Sequence, residues 1–195
     1  MLDFGYPVGP ITLLDEVGID VTTHVINNLI GEKPMYLGER MEGADLGLMQ
    51  DFVDAGLLGK KAGKGFFDHS VKAKGPKPMH PEAAKIIAKY QHPSKSAKGK
   101  PIEEVVERVV LRFVLEAIHC LQDGIIASPR DGDIGAVFGV GFPPFRGGPF
   151  MWIDTVGPDV ILAKLQKLEA EHGPHFAPPK ILVDKVAKGE SFHHA

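Results

Sequence analysis

An all-α fold follows from three features of the sequence. Apolar residues recur at helical spacing through most of the chain. No run alternates in the manner of a strand ladder. Gly and Pro stand where helices begin and stop. The first pattern opens at Gly9-Pro10, with proline at a first helical position where its missing N–H costs nothing. Ile11, Leu13, Leu14 and Val17 follow, and Gly18 ends it. Asp20 is placed to cap a second helix through Ile30, with Val21, Val25, Ile26, Leu29 and Ile30 on one face. Leu46, Leu48, Met49, Phe52 and Val53 predict a third helix over 43–56.

GLLGKKAGKGFF (56–67) is glycine-rich and basic. A phosphate loop needs Gly-Lys followed by Ser or Thr, after a strand and ahead of a helix. Here Gly65 follows Lys64 and a helix precedes, so the stretch reads as a turn leading into a short extended piece. Residues 70–80, rich in Lys and Pro, read as a linker. A short helix over 81–90 and an exposed basic loop over 92–100 follow.

The strongest helix is predicted over 101–123. Pro101, Glu103 and Glu104 favour its start and Gly124 its end. Ile102, Val105, Val106, Val109, Val110, Phe113, Ala117, Cys120 and Leu121 cluster on one side, with Leu111, Val114 and Ile118 widening the arc. Ser128-Pro129 opens a helix to Phe138, and a Gly/Pro loop over 138–149 leads to helices over 149–156, 158–172 and 179–188. The tail SFHHA reads as frayed.

Composition excludes several classes. The net charge of −3 gives no basic footprint for nucleic acid. The single Cys120 forbids an internal disulfide and favours a reducing compartment; it faces the core with no activator. No apolar run approaches the ~20 residues of a membrane span, and the N-terminus is neither a signal peptide nor an Arg-rich presequence. His172 and His175 flank a Gly-Pro turn rather than sharing a helical face, so no metal site is expected.

The chain repeats itself. GPITLLDEVG at Gly9 and GPFMWIDTVG at Gly148 share Pro, Asp, Val and Gly at one offset, 149 − 10 = 139, and Asp20-Val21 answers Asp159-Val160. The second copy carries a long helix and a Ser-capped helix before the shared motif; the first begins at Phe4-Gly5-Tyr6-Pro7. The expected organisation is a truncated first helical repeat over 1–69, a linker with a short helix over 70–100, and a second repeat over 101–195.

FGYPVGPITLLDEVGIDV (4–21), with GLLGKKAGKGFF, and EAIHCLQDGIIASPRDGDIGAVFGVGFPPFRGGPFMWIDTVG (116–157) resemble the tandem C-terminal domains of multifunctional fatty-acid β-oxidation enzymes. In these, enoyl-CoA hydratase and NAD-dependent 3-hydroxyacyl-CoA dehydrogenase share one chain. The FGVGFPP-x-x-GGPF form is closer to the mitochondrial trifunctional α-subunit than to the peroxisomal enzyme. The resemblance implies two related all-α units of the 6-phosphogluconate dehydrogenase C-terminal type, with the hydratase and NAD-binding domains upstream. It places the catalytic His–Glu pair and Asn upstream of Met1, so no catalytic residue and no cofactor site is expected in this chain; NAD belongs to the parent enzyme. The position of the Asn-Arg pair is occupied in the second copy by Glu107-Arg108.

What the resemblance leaves here is a wall of the acyl-CoA cleft. The Tyr-Pro-x-Gly-Pro turn maps to Tyr6, Pro7, Val8 and Gly9, and an aromatic that contacts substrate maps to Phe138 in place of tyrosine. The competing reading of each is packing and turn geometry. Two functions stay open: the C-terminal part of a β-oxidation dehydrogenase that is inactive alone, or a module that dimerises or docks a thiolase subunit. The resemblance implies a mitochondrial location, matrix or inner-membrane-associated, or a cytoplasmic one in a bacterium. Leu13, Val17 and Val25 lack cover in a truncated repeat, which predicts self-association.

Overall fold

The computed structural model describes residues 1–30, 45–72, 75–91 and 99–193. The described residues form helices joined by turns and loops, with isolated β-bridges and no strand among them. The helices are α1 (Pro10–Val17), α2 (Ile19–Ile30), α3 (Gly47–Asp54), α4 (Pro81–Tyr90), α5 (Ile102–Gln122), α6 (Pro129–Val140), α7 (Pro149–Val156), α8 (Pro158–His172) and α9 (Lys180–Lys188). The chain divides into two compact units, Val8–Ser96 and Met1–Pro7 with Ala97–Ala195.

Most boundaries fall where Pro and Gly predict. Three differ. Asp20 lies in the first turn of α2 rather than at its cap, and its carboxylate takes a hydrogen bond from Lys61 Nζ at 2.7 Å. The third helix starts at Gly47; residues 43 and 44 lie outside the described residues, as do 92–98 of the basic loop. The α6 helix runs on to Val140, so Phe138 and Gly139 are helical and the loop begins at Gly141, whose φ of +74° ends the helix.

In the Val8–Ser96 unit, Ile19, Phe52, Leu57, Phe66, Ala83 and Ile86 form the core. The short helix read as part of a linker is thus a core element, contributing Ala83 and Ile86. The stretch before it is fastened too. Asp68 N donates to Pro78 O and His80 N to Phe66 O, both at 2.9 Å, which folds it back on the extended GFF piece.

At the centre of this unit is Asp15, fully buried in α1. Its Oδ1 accepts the amide of Phe66 at 2.8 Å and its Oδ2 that of Phe67 at 2.9 Å; His69 Nε2 stands 2.8 Å from Oδ2. The glycines of 56–67 serve this contact. Gly65 lies so close beneath Asp15 that an added Cβ would sit 2.2 Å from Oδ1.

In the other unit, Val110, Leu111, Val114, Leu115 and Ile118 of α5 are buried beneath Phe142, Phe150, Ile153, Ile161, Leu165, Leu182 and Phe192. The buried stripe is centred on the residues expected only to widen the arc, and Ile102 and Val109 are exposed. Phe113 packs against Phe142 of that core at 5.6 Å and against Tyr6 of the N-terminal segment. Residues 1–7, assigned from sequence to the first repeat, lie in this unit. Phe4 packs edge-on to Trp152 at 5.7 Å between ring centres, and Tyr6 edge-on to Phe142 at 5.8 Å and Phe113 at 6.5 Å. Arg146 stacks over Phe4 at 3.9 Å and donates to its carbonyl at 2.9 Å. Tyr6 Oη is buried with no hydrogen-bond partner among the described residues, and burial pushes its pKa up to about 12.

The tail is not frayed through His193. Phe192 is buried against Phe150 at 5.2 Å. Asp154 Oδ1 accepts the amide of Phe192 at 2.8 Å and Oδ2 that of His193 at 2.9 Å. Asp154 is the repeat partner of Asp15, and Gly18 and Gly157, at the matching offset, both hold positive φ, +106° and +107°. Each copy thus uses one helical carboxylate to grip two consecutive amides after a Gly-x-x-Phe.

Replacing Asp15 with alanine strands the buried amide of Phe66 and the partly buried one of Phe67, at a cost of up to about 1–3 kcal/mol each. Chemical denaturation should show a loss of about 2–4 kcal/mol, with Asp154→Ala milder because Asp154 is half-buried; an unchanged D15A midpoint contradicts the clasp. Tyr6→Phe removes an orphan hydroxyl and should hold or raise stability at neutral pH. The raised pKa keeps the wild-type contribution intact below pH 10 and loses it as pH climbs from 10 toward about 12. The variant should lose less stability over that window in paired denaturation curves.

Candidate functional site

The candidate residues fall into two groups. Tyr6 and Pro7 belong to one unit, Val8 and Gly9 to the other, so the Tyr-Pro-x-Gly-Pro turn runs through the division between them. Tyr6 is wedged among Phe4, Phe113 and Phe142. Pro7 is exposed, with its ring 3.4 Å from where a Cβ on Gly141 would stand. Val8 and Gly9 are half-buried. Gly9 caps α1 in an extended conformation, φ −75° and ψ 152°, and its carbonyl accepts Leu13 N at 2.9 Å.

Phe138 is 87% exposed. The α6 helix buries Asp133 and Ala136, and at about 100° per residue that turns position 138 to solvent. Val140 and the loop residue Phe145 are exposed as well, so the end of α6 and the following loop present apolar surface. The structure brings Pro7 to the C-cap of α6, where Gly141 stands three residues after Phe138. Tyr6 contributes ring packing, and no direct contact joins its ring to Phe138.

Proton transfer requires a titratable group near the reacting atom with a pKa near the working pH. Among Tyr6, Pro7, Val8, Gly9 and Phe138 only Tyr6 titrates, and burial holds it as a neutral phenol. These residues offer shape and apolar surface, not acid–base chemistry. Two Asp–His pairs do exist, and sequence reading missed both. Asp133 Oδ2 lies 2.8 Å from His193 Nε2, while its Oδ1 accepts Phe150 N at 2.7 Å and Oδ2 accepts Met151 N at 3.1 Å. Asp15 is engaged in the same way with His69. In each pair the carboxylate is spent on backbone amides. Asp133 fastens the start of α7, where Gly148 is obligatory because an added Cβ would sit 2.4 Å from Asp133.

The signal for the clasp was present in Gly63-Lys64-Gly65-Phe66-Phe67 and Gly189-Glu190-Ser191-Phe192-His193. These match at an offset of 189 − 63 = 126, whereas the helices match at 139, so a search at one fixed spacing passes over them.

The glycines of 135–141 do not form a dinucleotide fingerprint. That fingerprint sits between a strand and the helix it opens, whereas Gly135 and Gly139 lie inside α6 and Gly141 ends it. Nor does 56–67 cradle a phosphate, since the amides of Phe66 and Phe67 are spent on Asp15. Among the described residues no three His, Cys, Asp or Glu come together as a metal site, and no helix is long and apolar enough to cross a membrane.

Comparison with known proteins fits this architecture. The chain is 42% identical over 193 residues to the fatty acid oxidation complex subunit alpha of Idiomarina loihiensis, covering 99% of this chain and 26% of that protein. The corresponding subunit of Vibrio campbellii is 40% identical, with 99% and 25% covered. The chain thus spans about a quarter of the length of these relatives. They are bacterial, whereas the Gly-Phe-Pro loop had pointed to the mitochondrial form. In fold, the chain superposes on the crystal structure of 3-hydroxybutyryl-CoA dehydrogenase from Escherichia coli with a TM-score of 0.65 at 21% identity, over 95% of this chain and 52% of that one. The family described as 3-hydroxyacyl-CoA dehydrogenase, C-terminal domain, matches at residues 1–69 and again at 105–193. With most of its length matched, this chain belongs to the 3-hydroxyacyl-CoA dehydrogenase C-terminal domain family.

Proposed function

We propose that this chain is the C-terminal helical part of a fatty-acid β-oxidation multifunctional enzyme and forms part of the wall of its acyl-CoA cleft. The observation that carries the reading is the 40–42% identity to fatty acid oxidation complex α-subunits along virtually the whole chain. The chemistry of the candidate site supports a supporting role. Tyr6, Pro7, Val8, Gly9 and Phe138 supply surface without a general base. On this reading the upstream NAD-binding and hydratase domains hold the cofactor and the reacting groups, and this chain is inactive alone. The bacterial relatives favour the cytoplasmic location over the mitochondrial one.

A specific observation supports the second reading, a dimerisation or docking module. The repeat supplies its own control. Phe150 of α7 is fully buried, whereas its partner Ile11 of α1 is 41% exposed. Leu13, Val17, Val21 and Val25 are exposed as well. A face of this kind favours association with an apolar helical surface, either a second copy or a subunit such as a thiolase.

The chain alone, mixed with 3-hydroxyacyl-CoA and NAD, should form no NADH. Co-expressed with the upstream domains of an α-subunit relative, it should restore turnover. Phe138→Ala in that complex should raise KM about tenfold and change kcat by less than about twofold, the signature of lost uniform binding. Turnover by the chain alone contradicts the supporting role. Sedimentation equilibrium decides the second reading: self-association weakened by Leu13→Asp supports it, and a clean monomer at high concentration ends it.

A further inference from the structure

A small groove of about 50 Å³ runs between the first half of α5 and the second half of α8. None of its lining residues belongs to the Tyr6 turn or to α6. Leu111 and Leu168 form its floor. Four cations enter it, Lys100, Arg108, Lys164 and Lys167, against three carboxylates, Glu104, Glu107 and Glu171.

The pairing within the groove is uneven. Lys164 is bound to Glu107. Lys100 and Lys167 share Glu171 at 3.6 and 3.8 Å, beyond hydrogen-bond length. Among the described residues no carboxylate forms an ion pair with Arg108. Its guanidinium stands 3.5 Å from Nε2 of His172, whose side chain is only 11% exposed. A permanently charged fork facing an imidazole in a walled groove lacks the acceptor that its geometry suits.

We propose that this groove is an anion site for a tetrahedral dianion, a phosphate group. Arg108 presents two parallel N–H donors to two of its oxygens. Lys100 and Lys167 move from their long contacts with Glu171 to the remaining ones. The four cations exceed the three carboxylates by one, and a proton on His172 makes the excess two, the charge of one phosphate dianion. Binding therefore takes up a proton at His172. Burial, and then Arg108, hold the pKa of His172 below its ordinary value. The charged or titratable groups facing it are Arg108 from α5, Glu171 on its own helix, Lys100 ahead of α5, and His175 in the turn after α8. An anion on Arg108 removes the second cause of the depression.

The test uses the full chain with sulfate, which stays dianionic from about pH 5 to 8, at constant ionic strength. Calorimetry should show saturable binding that tightens as pH falls, and the His172 imidazole resonances should titrate at higher pH when sulfate is present. Arg108→Gln should weaken binding about tenfold or more, the scale of one charged hydrogen-bonded pair. Should that variant fail to fold, Lys100→Gln with Lys167→Gln, both at exposed positions, should weaken it about fivefold or more. His172→Gln should abolish the pH dependence while keeping binding at high pH. Lys188→Gln, exposed on α9, should change nothing. Inorganic phosphate and adenosine monophosphate, titrated in parallel, separate a free phosphate from a nucleotide-borne one by which binds more tightly. Unsaturable binding, or affinity unmoved in the groove variants, overturns the proposal.

Discussion

A carboxylate on a short helix, gripping the amides of a distant turn, is the contact on which each repeat depends. Asp15 and Asp154 sit at the same place in α1 and α7, and each receives two consecutive backbone N–H groups at 2.8 and 2.9 Å. A buried carboxylate is tolerable only when its oxygens are saturated by donors. The grip is therefore mutual: the turn satisfies the charge, and the charge fixes the turn. It also places an aromatic. Phe66 is drawn against Phe52 at 4.3 Å, and Phe192 against Phe150 at 5.2 Å. The core of each unit closes on a ring whose backbone is held by an Asp far from it in sequence.

That constraint explains why the helices were legible in sequence and the clasps were not. Pro at a first helical position, Gly just past the end and apolar spacing are local signals. They placed α1, α4, α5, α7, α8 and α9 within a residue or two. A carboxylate 51 residues from the amide that it holds leaves no local trace. Read alone, SFHHA is a polar tail and GKGFF a turn. Only the partner Asp makes them structural. The same holds for the N-terminal segment. The match of Phe4-Gly5-Tyr6-Pro7 to the end of the second copy's series assigned Phe4 and Tyr6 to the first repeat, and it gives no sign that their rings pack among Phe113, Phe142 and Trp152.

The face of α5 teaches a related lesson. A helical wheel finds an apolar arc but not its centre when the arc is wide. On α5 the arc serves two coverings. Val110, Leu111, Val114 and Ile118 are fully buried in the helical core, while Phe113 packs both on Phe142 of that core and on the ring of Tyr6. A wheel that assumes one partner averages over both and puts the centre between them.

The candidate site can be judged by the same physics. Phe138 is exposed, as are Ile134 and Val140 of the same helix, and solvent is a costly place for a ring unless something else covers it. Buried Asp133 fixes α6 against the start of α7, and Gly141, pressed by Pro7, ends α6 directly after Val140. The ring is thus carried by a helix pinned at both ends, on the side that faces outward. Surface apolar residues on a firm support lose little entropy when a ligand or domain arrives. That is the property expected of a cleft wall and not of a frayed loop. Because the clasp at Asp154 secures α7, which α6 leans on, disturbance of the tail should reach Phe138 without touching it.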